Sequence, residues 1–190
     1  MLNVLYEKFP EHVLVNGKKY AIETDFREWI RLMELVEDET VPWQIKYRLM
    51  LRWYQEIPED LESAIYALGD FLSAGKLYGR ENNDQGQQKA MEKPAFSFTE
   101  DAGCIYAAFV ESYGIDLQNV SYMHWWKFKT LFDYLPEKTE IKQRMMYRTI
   151  DANSIKDKEE RKRVRRIQKE IALHKKTRKM SDFDIGAMFS

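Results

Sequence analysis

The chain has 190 residues and a formal net charge of −1, with 44% hydrophobic and 32% charged residues. That length suits one well-buried core, or one core with an appendage, and disfavours two full domains. No apolar run approaches the roughly 20 residues that cross a bilayer, and the N-terminus lacks the basic flank and apolar stretch of a signal peptide, so the cytoplasm is the expected compartment.

The small net charge conceals a division. Between Lys138 and Lys179 lie sixteen of the 30 Lys and Arg residues against six of the 31 Asp and Glu, which leaves fourteen basic against twenty-five acidic elsewhere. Such asymmetry implies internal complementarity or a charged arm that reaches for a partner.

In chain order, Val13-Leu14-Val15, Asn16-Gly17 and Lys18 to Ile22 predict a β-hairpin, because Asn-Gly tolerates the positive φ angles of a type I′ turn. Thr24 or Asp25 can cap a first helix, with Glu28 at capping-box spacing from Asp25 and with Phe26, Trp29, Ile30, Met33 and Val36 on one face. Pro42 opens a second helix carrying Trp43, Tyr47, Met50, Leu51 and Tyr54. Pro58 opens a third, with Leu61, Ala64, Ile65, Leu68, Phe71 and Leu72 inward. Residues 75–95 are almost devoid of apolar side chains after Tyr78 and read as a polar linker or exposed loop. Thr99 caps the next helix, which buries Cys104, Ile105, Ala108 and Phe109 and stops at Gly114. Asp116 to Tyr134 reads as a further helix, crowded with aromatic residues and ended by Pro136. Ile141, Met145, Met146, Tyr147 and Ile150 line another. From Asp157 to about Lys176 the sequence is overwhelmingly charged, with Val164, Ile167 and Ile171 as a narrow stripe suited to one-sided contact.

Signals for catalysis are weak. His12, His124 and His174 fall in separate elements without a second ligand at helical zinc spacing. The single cysteine, Cys104, cannot form an internal disulfide and shares a face with Ala108, as a small core residue would. Gly75 to Arg80 matches no phosphate-binding loop. The expectation is a protein that binds another macromolecule, without metal, cofactor or enzymatic activity. The run Arg161 to Arg166 admits three readings: a solvated helix face, a protein-binding arm, or a nucleic-acid contact, the last opposed by the interspersed Glu159, Glu160 and Glu170.

Several blocks carry a family resemblance: Asn16-Gly17-Lys18-Lys19-Tyr20, Thr24-Asp25-Phe26-Arg27, Ile57-Pro58-Glu59-Asp60, and Phe96 to Asp101 before Ile105 to Phe109. Tyr113-Gly114-Ile115-Asp116-Leu117, Met123 to Phe128, Leu135-Pro136 and Ile141 to Arg148 continue it. In this order the chain resembles the gene product fifteen family of tailed phages and prophages. The resemblance implies a protein of the tail-morphogenesis region, encoded ahead of the tape measure protein. It implies further a tail assembly chaperone that keeps this client soluble in the host cell cytoplasm before tail tube polymerisation. An upstream tail chaperone, a tail tube subunit or a second copy of the chain are further partners it suggests, and membrane is not among them. A structural virion component, such as a tail or head-completion subunit, is the alternative, followed by a nucleic-acid-binding module. The family brings no catalytic or ligand-binding residues to carry over.

The expected architecture is mainly α: a helical bundle with a short N-terminal β-hairpin and an extended basic C-terminal helix. Its parts are a hairpin and three-helix lobe at 1–74, a linker at 75–95, a second helical lobe at 96–150, and a basic helix and tail at 151–190. Met145, Met146, Val164, Ile167, Ile171, Met188 and Phe189 are the candidate partner-binding residues, because methionine adapts to varied partners and a sparse stripe invites a cover.

Overall fold

A computed structural model describes residues 2–78 and 94–174. The fold is mainly α with a short antiparallel hairpin at its start. Most of the expected linker, Met188 and Phe189 lie outside the described residues. The chain divides into two compact units. The first comprises residues 2–78 and 122–129 of the described chain, the second residues 94–121 and 130–174. Lobes at 1–74 and 96–150 with an appended arm were expected; instead, 122–129 belongs to the first unit and the basic helix to the second.

In the first unit, strands β1 (His12–Val15) and β2 (Lys18–Ala21) pair with Val13 opposite Tyr20. Asn16 and Gly17 hold φ of 50° and 79° at the turn, as the sequence predicts. A lone two-stranded ribbon is marginal in water. Here Asn16 Nδ2 donates to Asp60 Oδ2 at 2.8 Å, so the turn is fastened to the start of a helix. Asp60 also caps that helix by accepting from the Ser63 backbone N–H at 3.1 Å.

Helix α1 (Phe26–Glu37) begins after Asp25, which accepts from the Arg27 N–H at 3.0 Å. Glu28 pairs with Arg31. Helix α2 (Trp43–Met50) continues into a 3₁₀ turn at Leu51–Trp53. Helix α3 (Leu61–Ser73) starts three residues after the buried Pro58 and ends at left-handed Ala74, φ 53°. A short helix α4 (Gly75–Tyr78) follows, with Leu77 buried. The first residues of the expected linker are therefore helical.

The core of this unit is aromatic. Trp29 and Leu68 are fully enclosed, the Trp29 and Phe71 rings lie 4.7 Å apart, and Phe26 stacks on Phe128 at 4.7 Å. Segment 122–129 enters through backbone pairing: Phe26 N–H donates to Met123 O at 2.9 Å and Trp125 N–H to Thr24 O at 2.7 Å. The indole N–H groups of Trp126 and Trp125 then donate to the last carbonyls of α3, Phe71 at 2.8 Å and Leu72 at 2.9 Å. The Phe71 carbonyl also accepts the Ala74 N–H at 3.1 Å, so the rings fill the core and add donors to the end of the helix.

In the second unit, α5 (Ala102–Tyr113) ends at Gly114 with φ 64°. No helix spans 116–124, contrary to expectation: Asp116 Oδ1 accepts the Gln118 N–H at 3.0 Å and Oδ2 the Asn119 Nδ2 at 2.6 Å, a side-chain turn that competes with helix. Helix α6 (Trp125–Asp133) has its last residues, 130–133, in this unit, where Phe132 packs on Phe96 at 4.9 Å. Helices α7 (Glu140–Thr149) and α8 (Lys158–Glu170) complete it. Asp157 caps α8 by accepting the Glu160 N–H at 2.7 Å. No helix among the described residues is long and apolar enough to cross a membrane.

Candidate functional site

The basic helix was expected to offer its aliphatic stripe to a partner. Instead α8 packs on α7, which buries Val164 to 3% exposure and leaves Ile167 and Ile171 half-buried. Three aliphatic side chains suffice because hydrogen bonds to the backbone supplement them. Gln168 Nε2 donates to the Tyr147 and Ile150 carbonyls, both at 2.8 Å, and Arg148 Nε to Ile171 O at 2.8 Å. These bonds satisfy helix-end acceptors that would otherwise need water. Val164 is thus enclosed in a seam between α7 and α8, with Ile167 and Ile171 half-buried beside it. On α7, Met145 is half-buried and Met146 is 39% exposed, which leaves Met146 the most accessible of the expected contacts within the described residues.

Arg148 is also one partner in a buried ionic cluster. Its Nη1 and Nη2 donate to the Asp101 carboxylate at 2.6 and 2.9 Å, and Arg144 approaches it at 3.4 Å. The Asp101 side chain is 0% exposed. Burial alone would raise its carboxyl, but the hydrogen bonds from Arg148 and Ser97 with the Arg148 charge outweigh burial and hold it below the ordinary value. The cluster joins the start of α5, α7 and the end of α8, and serves packing.

The three histidines stand apart. His12 lies on β1. His174 accompanies Glu100 at 2.9 Å. His124 precedes α6, where Nδ1 accepts the Trp126 backbone N–H at 3.0 Å, so Nε2 carries the proton and donates to Pro10 O at 3.0 Å. Burial lowers its pKa. Cys104 is free and half-buried on α5. Among the described residues no cluster of His, Cys, Asp and Glu is placed to hold a metal.

One concave feature lies within the first unit. Leu35 and Glu28 of α1, Leu49 of α2, Arg52 and Trp53 of the 3₁₀ turn, and Glu23 line a cleft of about 250 Å³. Its walls are fixed by the backbone: Glu23 N–H donates to Trp53 O at 2.8 Å, and Trp29 Nε1 donates to Glu23 O at 2.9 Å. Between the same two helices the buried Lys46 of α2 donates through Nζ to Val36 O at 2.5 Å, near the C-terminus of α1. A cation there complements both an orphan carbonyl and the helix dipole.

Trp53 differs from the other enclosed indoles, because its Nε1 is buried and meets no hydrogen-bond acceptor. Buried N–H groups are nearly always paired, and an unpaired one costs about 1–3 kcal/mol. The cleft itself joins apolar walls with charges of both signs. Its volume falls below the roughly 300–1,000 Å³ of small-molecule sites, and suits a side chain presented by a macromolecular partner. Sequence reading missed this site, since Leu35, Leu49 and Trp53 fall off the inward stripes of their helices. Apolar residues outside the core stripe were the available signal.

Known proteins supply a further comparison. No curated protein and no solved structure matches the chain. The profile described as Bacteriophage Gp15 protein matches residues 5–173, nearly the whole chain including both units and α8. The chain belongs to the Bacteriophage Gp15 protein family.

Proposed function

We propose that this phage protein is a tail assembly chaperone that binds the tape measure protein and keeps it soluble before the tail tube polymerises, acting by binding and not by catalysis. The observation that carries the reading is the α1/α2 cleft, where Leu35, Leu49 and Trp53 form apolar walls with Glu23, Glu28 and Arg52 beside them. A long amphipathic client helix presents regularly spaced apolar side chains, and a groove between two helices takes them one at a time. A cleft this small gives weak, repeated contacts. That is the property a chaperone needs if tube subunits are to displace it.

The two helices that form the cleft also carry exposed apolar side chains. Trp43, at the start of α2, is 55% exposed, and Val36, near the end of α1, is also exposed. Large aromatic side chains left in water are characteristic of interfaces. In co-expression, tape measure protein stays soluble with the wild-type chain and precipitates with the Leu49→Arg variant, which places a charge in the cleft. Equal solubility with the wild-type chain and the Leu49→Arg variant rejects the cleft as the binding seat. Mass spectrometry of purified particles separates this role from that of a structural component, because a chaperone is absent from the mature virion.

A further inference from the structure

With its apolar stripe turned inward, α8 presents the opposite side to solvent, and that side is strongly basic. Lys158, Lys162, Arg165, Arg166 and Lys169 recur at helical spacing and are all exposed. The ends of the strip are eleven residues apart, about 16 Å along the axis. Among the described residues, Lys158, Lys162, Arg166 and Lys169 pair with no carboxylate, and Arg165 bonds only the neutral Asn153 Oδ1 at 2.7 Å. The acidic residues of this helix, Glu159, Glu160 and Glu170, border the strip without neutralising it; Glu160 faces Arg163 at 3.4 Å.

The first unit carries a counterpart. Residues 54–74 include Glu56, Glu59, Asp60, Glu62 and Asp70 and not one Lys, Arg or His. Glu62, Tyr66 and Asp70 follow one another at four-residue spacing along α3, hence on one face. Glu59 and Glu62 are exposed and have no ion-pair partner among the described residues. Tyr66 is 69% exposed between them and Asp70, with Leu61 and Ile57 also open to water.

We propose that the chain associates with a second copy of itself, the basic strip of α8 lying along the acidic, tyrosine-bearing face of α3 in the neighbouring molecule. Single exposed ion pairs contribute little. A row of them around an aromatic ring is more favourable, because an arginine guanidinium stacks on tyrosine while its N–H groups reach the flanking carboxylates. Nucleic acid fits the strip less well: glutamates border it on its own helix and no exposed aromatic side chain interleaves it. The cleft takes no part, so the proposal stands independently of the client reading.

The test is charge complementation by analytical ultracentrifugation on nuclease-treated full-length protein. One variant carries Lys162→Glu with Arg166→Glu, the other Glu59→Lys with Glu62→Lys, and circular dichroism confirms that both are folded. Wild type assembles, and does so about tenfold more weakly as salt rises from about 0.05 to 0.5 M. Each variant alone sediments as a monomer, and their equimolar mixture assembles again. The proposal is overturned by a wild type that is monomeric at every salt concentration, by assembly that nuclease abolishes, by variants that assemble like wild type, or by a mixture that stays monomeric.

Discussion

In the first unit the indole N–H groups of Trp29, Trp125 and Trp126 reach backbone carbonyls, so the side chains that fill the core also satisfy its polar atoms. In the second unit that task falls to charge: Asp101 sits fully enclosed between Arg148 and Arg144, and Arg148 extends to the carbonyls of Ala95 and Ile171. Rings that bury area lose stability in proportion to what is removed. A buried ion cluster fails abruptly, because removal of one partner strands the other in a medium of low polarity. The difference teaches how a segment as charged as α7 and α8 becomes part of a folded unit without a large apolar face. Hydrogen bonds to helix ends and one ionic cluster replace the missing hydrophobic area.

The contrast can be broken most severely at Arg148. Arg148→Met leaves the Asp101 carboxylate without its main partner and costs about 3–5 kcal/mol in urea denaturation. A loss under 1 kcal/mol would place the ionic cluster outside the stabilising core. In the first unit Trp126→Phe retains an aromatic ring but removes the donor to Phe71 O, and costs about 1–3 kcal/mol in the same assay. On α8, Val164→Ala costs about 1–2 kcal/mol, whereas Lys162→Ala on the outer side stays within about 0.5 kcal/mol. Equal effects at the two positions would mean that α8 does not dock by its aliphatic side.

Acid sharpens the comparison further. Burial lowers the His124 pKa below its ordinary 6.5. The unfolded chain therefore binds this proton more readily, and the contribution of His124 is complete above 6.5 and lost as pH falls through the folded value. Protonation of Nδ1 would also break the bond from the Trp126 N–H. Asp101 is held below its ordinary 3.8, so its contribution persists above that value and disappears only in stronger acid. Hydrogen exchange between pH 7 and pH 4 should loosen amides around Trp126 before those around Arg148. The reverse order would refute the assignment of these two groups.

Much of the first unit was legible in the sequence. Asn16-Gly17 specified its turn and the spacing of Phe26 and Trp29 their burial, and in the second unit Gly114 specified the end of α5, because each follows from local backbone or periodicity rules. Residues 116–124 were misread as helix because apolar periodicity ran on through them, while the Asp116 side chain captured the backbone. The docking of α8 was hidden for a related reason: Gln168 and Arg148 act through hydrogen bonds to distant carbonyls, which leave no periodic mark. The cleft depends on how α1 meets α2, a tertiary relation outside the reach of any one helix pattern.

The direct test of the client reading is site-specific photo-crosslinking in cells that co-express the tape measure protein, with a photoreactive side chain at position 35 in the cleft or at position 146 on α7. An adduct with the tape measure protein from position 35, and none from position 146, is the predicted result. Adducts from position 146 alone, or none from position 35 while the two proteins co-purify, would contradict it.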